Sequence, residues 1–203
     1  RRNTVNRPAF AIVHGNPAMP ILAREVDVFP ANLFELLDQR SVPGQWWALY
    51  TISRREKELM RRLLALEVPF YGPVLPKRGR TPAGRSYIAY EPLFRNYVFL
   101  FGDEQARYAS LTTRCVSKCV PVVDNDELTH DLRQFHDLIA LEAPLLPESR
   151  LLPGQRVRIR SGKFRGVEGT IVRREHEVRL LVAINFIQQG ASLLLNDYEV
   201  EAI

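Results

Sequence analysis

With 203 residues, 46% of them hydrophobic and 25% charged, the chain is long enough for one large core or two small ones. Its longest apolar runs, Val178–Ile187 and Val98–Phe101, fall short of the ~18–20 residues of a membrane helix, so no membrane partner is expected. The formal charge of +5 is uneven: residues 45–90 hold nine Lys/Arg against three Glu, residues 91–150 net −4, and residues 151–203 net +2. One basic stretch beside an acidic one implies a local phosphate contact and excludes a protein that coats nucleic acid. A solvated helix face and a charged loop would read the same way.

Residues 1–44 carry prolines at 8, 17, 20, 30 and 43 and are expected to be a largely disordered extension. An apolar patch at Phe10–Val13 lacks the order of a signal peptide, and Met19-Pro20 is a candidate start. Asn32–Asp38 has room for one or two helical turns. From Trp46 the pattern becomes regular. Trp46–Thr51 is aromatic and β-prone and predicts a strand. Ser53 with Glu56 has capping-box spacing and predicts a helix with an apolar stripe of Leu59, Leu63 and Leu66, stopped by Pro69.

Phe70–Leu75 predicts a second strand. Lys77–Arg85 has too much Gly, Pro and charge for a sheet and is expected to be a loop. Strands at Ser86–Tyr90 and Asn96–Phe101, a helix at Asp103–Thr112, a strand at Cys115–Val123 and a helix from Asp126 to Glu142 follow. The expected class is α+β, a mainly antiparallel sheet backed by helices. Ala143–Arg150 has two prolines and no periodicity and reads as a linker, with 144–150 as its bounds. Beyond it, Arg156–Arg160, Thr170–Val172, Val178–Phe186, Ser192–Leu195 and Tyr198–Val200 predict a small closed barrel over 151–203.

Catalysis finds no constellation. His14, His130, His136 and His176 have no metal-ligand spacing, and Cys115 with Cys119 makes half a zinc site at best. There is no G-x-S-x-G and no phosphate-cradling glycine loop. No metal, cofactor or enzymatic activity is expected, and two reduced, packed cysteines suit a cytoplasmic protein.

The segment Gly154-Gln-Arg-Val-Arg-Ile-Arg-Ser-Gly-Lys-Phe-Arg-Gly-Val-Glu-Gly-Thr-Ile-Val172 resembles the KOW motif. In it Val157 and Ile159 should point inward, Gly162 should permit a positive φ, and Phe164 should plug an SH3-like barrel. Gly166 and Gly169 should let the backbone pass close to itself. Trp46–Lys57 looks like the opening strand and helix of the NusG N-terminal (NGN) domain, and Pro92-Leu-Phe-Arg-Asn-Tyr-Val-Phe99 resembles its P-L-F-P-G-Y-V-F segment. Two signatures in this order resemble the NusG family of transcription elongation factors, with an NGN domain over 45–143 and a KOW domain over 151–203. Arg95-Asn96 replaces the usual Pro-Gly, and Asn96 tolerates the left-handed turn that glycine would make. Glu91–Phe94 followed by Asn96-Tyr97 is also similar to specialised paralogs of the RfaH kind, which leaves the subgroup open.

The resemblance implies that Phe94, Tyr97 and Phe99, with Trp46, Trp47 and Tyr50 nearby, receive the clamp of the largest RNA polymerase subunit and so suppress pausing. Aromatics suit such a face because they bury large area with few rotors to freeze. Arg54, Arg55, Lys57, Lys77, Arg78, Arg80 and Arg85 would then approach upstream or non-template DNA through phosphates. Phe186 and Ile187 stand where KOW domains of this family meet partners, the termination factor Rho or a small-subunit ribosomal protein. The rival reading is a ribosomal or ribosome-assembly RNA binder, since KOW domains occur there too. Glu91 and Arg179 stand where RfaH-like paralogs hold their two domains together. An exposed ion pair contributes only about 0–1 kcal/mol, so domains independent of each other on the linker are expected.

Overall fold

The computed structural model describes residues 24–148, 154–174, 177–195, 198 and 200–203. The Phe10–Val13 patch and the Met19-Pro20 candidate start lie outside the described residues. An antiparallel five-stranded sheet has the order β1-β3-β6-β2-β7, with β1 at Val28–Phe29, β2 at Gln45–Thr51, β3 at Phe70–Tyr71, β6 at Tyr97–Gly102 and β7 at Val116–Pro121. Alternation along β2 and β6 divides the side chains between two faces. Trp47, Leu49, Val98 and Leu100 pack with Leu59, Met60 and Leu63 of α2 (Glu56–Ala65) and with Ala106 and Ala109 of α3 (Glu104–Thr112). Trp46, Ala48, Phe99 and Phe101 pack with Leu128, Leu132, Phe135 and Leu138 of α4 (Asn125–Ala140).

Four expectations need correction. Residues 24–44 are not disordered: β1 pairs with β3, and α1 (Leu33–Asp38) buries Leu33 and Phe34. Arg133 of α4 fastens this segment by donating to the Phe34 carbonyl and pairing with Asp38 at 2.8 Å. Ser53 does not cap α2, which starts at Glu56 behind Arg54 at φ 62°. The first four residues of Lys77–Arg85 are strand: β4 (Val74–Arg80) and β5 (Ser86–Pro92) form a two-stranded ribbon, and only residues 81–85 are the expected loop. A ribbon with solvent on its sides tolerates the charge that a covered sheet would reject, and Tyr87 lies over Gly79.

The fourth correction concerns 144–150, expected to be a linker. Its residues Leu146–Glu148 form β8, which pairs with β12 (Gln189–Leu194). The C-terminal sheet has the order β13-β9-β10-β11-β12-β8, with β9 at Gln155–Ile159, β10 at Glu168–Arg174, β11 at Glu177–Ile184 and β13 at Val200–Ala202. Val157 and Ile159 point inward as expected, and Phe164 is buried beside Tyr198 with ring centroids 5.5 Å apart. Gly162 takes φ 82°, and a Cβ on Gly169 would sit 2.5 Å from the Leu181 carbonyl oxygen. Gly166 departs from expectation: its φ is 92°, but a Cβ there would meet open space, so conformation and not close approach requires it.

Candidate functional site

The segment Leu93–Tyr97 forms a tight turn ahead of β6. Asn96 takes φ 63°, its N–H donates to the buried carboxylate of Glu56 at 2.8 Å, and its carbonyl accepts from Thr51 N–H at 2.8 Å. Asn96 therefore does occupy the left-handed position. Glu56, at the expected capping-box position, serves this turn and not a cap.

The turn sets the aromatic row. Phe94 contacts Phe99 at 5.7 Å and Phe135 of α4 at 5.0 Å between centroids, both edge-to-face. Tyr97 lies opposite Tyr50 across β2 and β6, with ring centroids 5.2 Å apart. Burial, then the neighbouring Tyr50, raises the Tyr97 phenol above its ordinary 10.0, so it stays a neutral donor. Of the six aromatics expected at the clamp contact, Tyr50 and Tyr97 retain exposure. Trp46, Phe94 and Phe99 share their face of the sheet but are at most 1% exposed, because α4 lies over them. Trp46 donates from its indole to the Thr129 hydroxyl at 2.8 Å. Trp47 belongs to the opposite face, where it packs under Arg107.

The barrel adds a second cover. One continuous apolar cluster joins Phe94, Phe99 and Phe135 to Leu180, Val182, Ile184 and Ile187 of the barrel. The Gln189 side chain accepts from Arg95 N–H at 2.9 Å and donates to the Arg95 carbonyl at 3.1 Å, so the barrel grips the turn that carries Phe94. On the other side of α4, Gln134 accepts from Glu168 N–H at 2.6 Å. The domains are thus docked, contrary to the expected independence. The ion pair suggested for this role is not formed. Glu91 pairs with Lys77 at 2.9 Å, while Arg179 is buried within the barrel against Ser192 and Glu177.

The basic candidates divide. Arg55 is held by Glu58 at 2.8 Å and Lys77 by Glu91, whereas Arg54 is exposed and Lys57 half-buried. Arg78, Arg80 and Arg85 are exposed with no carboxylate partner among the described residues. Arg78 and Arg80 alternate onto one side of the ribbon with Ile88, itself 42% exposed. On the barrel, Asn185–Ile187 form a 3-10 turn ended by Gln188 in the left-handed conformation. Phe186 is 48% exposed and Ile187 buried. Phe186 and Val123 flank a groove of about 490 Å³ between the two halves.

A family model described as transcription termination factor NusG matches residues 44–132, which span β2, the aromatic turn and the first half of α4. Over residues 44–132 the chain is similar to the NusG family. No curated protein matches the chain. Among solved structures, one titled "Domain interaction in Thermotoga maritima NusG" is 21% identical with a TM-score of 0.44, covering 79% of this chain and 98% of that one. One of the MjSpt4:Spt5 complex is 15% identical with a TM-score of 0.28, covering 78% of this chain and 97% of that one.

Within the NusG-type domain, the sequence missed the covering of the aromatics by α4. The signal was present in the apolar spacing of Leu128, Leu132, Phe135 and Leu138, which a free sheet face had to meet. The geometry of the turn yields a stability prediction. Asn96→Ala places a Cβ-bearing side chain without local hydrogen bonding at φ 63° and should cost about 1–2 kcal/mol, whereas Asn96→Gly should stay within about 0.5 kcal/mol of the parent. Urea unfolding of the three proteins measures both; equal loss in the two variants would mean that the turn does not depend on its backbone conformation.

Proposed function

We propose that this chain is a transcription elongation factor that binds the clamp of the largest RNA polymerase subunit through the Leu93–Phe99 turn and strand. The observation that carries this reading is the family match over 44–132 falling on an aromatic row whose end, Tyr50 and Tyr97, is open to solvent. Tyrosines present apolar area and a polar tip with little entropy to lose, the properties of an interface anchor. Phe94 and Phe99 support this surface from beneath, packed against α4. A clamp held by such a ligand is biased toward its closed conformer, which suppresses pausing without catalysis.

In this reading the ribbon acts next to the clamp contact. Arg78, Arg80 and Arg85 would meet phosphates of upstream or non-template DNA, while Ile88 offers an apolar contact beside them. Phe186 is the exposed apolar residue of the barrel turn and the favoured contact for Rho or a ribosomal protein. The rival RNA-binding reading loses support on β9. Arg158 is 2.5 Å from Glu168, Arg156 is 3.7 Å from Glu168, and Arg160 is 3.6 Å from Glu201, so these cations already face carboxylates of the barrel.

Two outcomes test the reading. Tyr97→Ala should weaken binding to core RNA polymerase about tenfold or more, about 1.4 kcal/mol, with little change in melting temperature. Unchanged affinity in a titration with labelled polymerase would remove the aromatic row from the interface. The double variant Arg78→Glu with Arg80→Glu should still bind polymerase yet lose part of its effect on pause lifetimes. A pause pattern identical to that of the parent on a DNA template would show that the ribbon does not reach nucleic acid.

A further inference from the structure

The seam between α4 and the barrel contains charge as well as apolar surface. A cleft of about 390 Å³ opens there, with Asp131 half-buried on its α4 wall. The titratable groups around Asp131 are Asp124, Glu127 and His130 from its own segment, Arg156 from β9 and Glu168 from β10. Leu181 and Ala183 of β11 bring no charge. Arg156, the arginine lining the cleft, is 3.7 Å from Glu168, which outside the cleft also holds Arg158 at 2.5 Å. Asp131 is therefore withdrawn from water among carboxylates, with Arg156 shared and no cation of its own among the described residues.

We propose that the barrel docks on α4 with Asp131 protonated and leaves as Asp131 ionises, so that docking takes up a proton. The aromatic turn is covered in the protonated form and released in the ionised one. The link to polymerase rests on the function proposed above, but the docking equilibrium is a property of this chain alone.

The docked surroundings act on Asp131 in a consistent direction. Burial, then Glu127, pushes its carboxyl up from 3.8 to about 7, with Arg156 opposing and Glu168 adding. Undocking removes the burial and moves Glu168 away, returning the carboxyl toward 3.8. The docked form then holds more protons than the undocked form between these two values. Docking is at full strength below 3.8, weakens as pH rises through about 7, and changes little above that. Over the window the docking constant falls by up to about tenfold per pH unit.

Two backbone amides report the seam from opposite ends. Glu168 N–H bonds to Gln134 beside the cleft, and Arg95 N–H bonds to Gln189, which is outside it. Proton–nitrogen NMR spectra of the full chain from pH 5 to 8 should show both resonances moving together, because local titration of Asp131 shifts only the first. Asp131→Asn, neutral at every pH, should keep both resonances at their low-pH positions, while His130→Ala should retain the transition. A stationary Arg95 resonance in the parent overturns the proposal, as does a transition in Asp131→Asn equal to that of the parent. Neither result bears on clamp binding, since no polymerase is in the sample.

Discussion

The contact on which the rest depends is the edge-to-face packing of Phe135 against Phe94. Phe135 belongs to α4, and α4 closes two structures at once. Leu128, Leu132, Phe135 and Leu138 are 2% exposed or less, and the apolar cluster they belong to runs from the antiparallel sheet into the barrel. Burying side chains of this size contributes about 1.5–3 kcal/mol each, far more than any exposed ion pair in the molecule. This difference in magnitude explains why the barrel docks without the Glu91–Arg179 pair. Apolar area supplies the attraction, and Gln189 and Gln134 fix the register by satisfying backbone groups of Arg95 and Glu168.

Much of the architecture was legible from periodicity. Four of the five strands of the first sheet, the helices at Glu104–Thr112 and Asn125–Ala140 and five strands of the barrel followed from alternation and helical spacing, whereas β1 did not. The inward placement of Val157, Ile159 and Phe164 and the left-handed Asn96 also followed, because each rests on a local rule. What escaped was decided by tertiary partners. Prolines made residues 24–44 look irregular, but Leu33 and Phe34 find α4 and Tyr71 to pack on. Charge made all of Lys77–Arg85 look like a loop, which 81–85 are, but a ribbon open to solvent tolerates charge and Lys77–Arg80 continue β4. Glu56 had the spacing of a cap and was instead drawn to the amide of Asn96 forty residues away. The outward assignment of Phe94 and Phe99 failed for the same reason, since an aromatic row suited to a partner is equally suited to the protein's own helix and barrel.

The candidate site consequently has two occupants of similar chemistry, the protein's own barrel and, in the proposed function, the polymerase clamp. Tyr50 and Tyr97 are the part of the row that an incoming partner meets first. The turn gripped by Gln189 is freed only as the docking equilibrium shifts, which lowers the apparent affinity by the fraction of molecules still docked. Acidic residues along the same helix oppose the apolar attraction. A docked state built from such opposing terms responds to small changes in charge, whereas an apolar seam alone would not.

Nitrogen-15 relaxation of the full chain at pH 6 tests the docked arrangement most directly. If α4 and the barrel form one packed unit, amides of β9–β12 and of α4 should report a single rotational correlation time, that of a 23.3 kDa particle. A distinctly shorter correlation time for the barrel amides, with the sheet and α4 sharing a longer one, would contradict it.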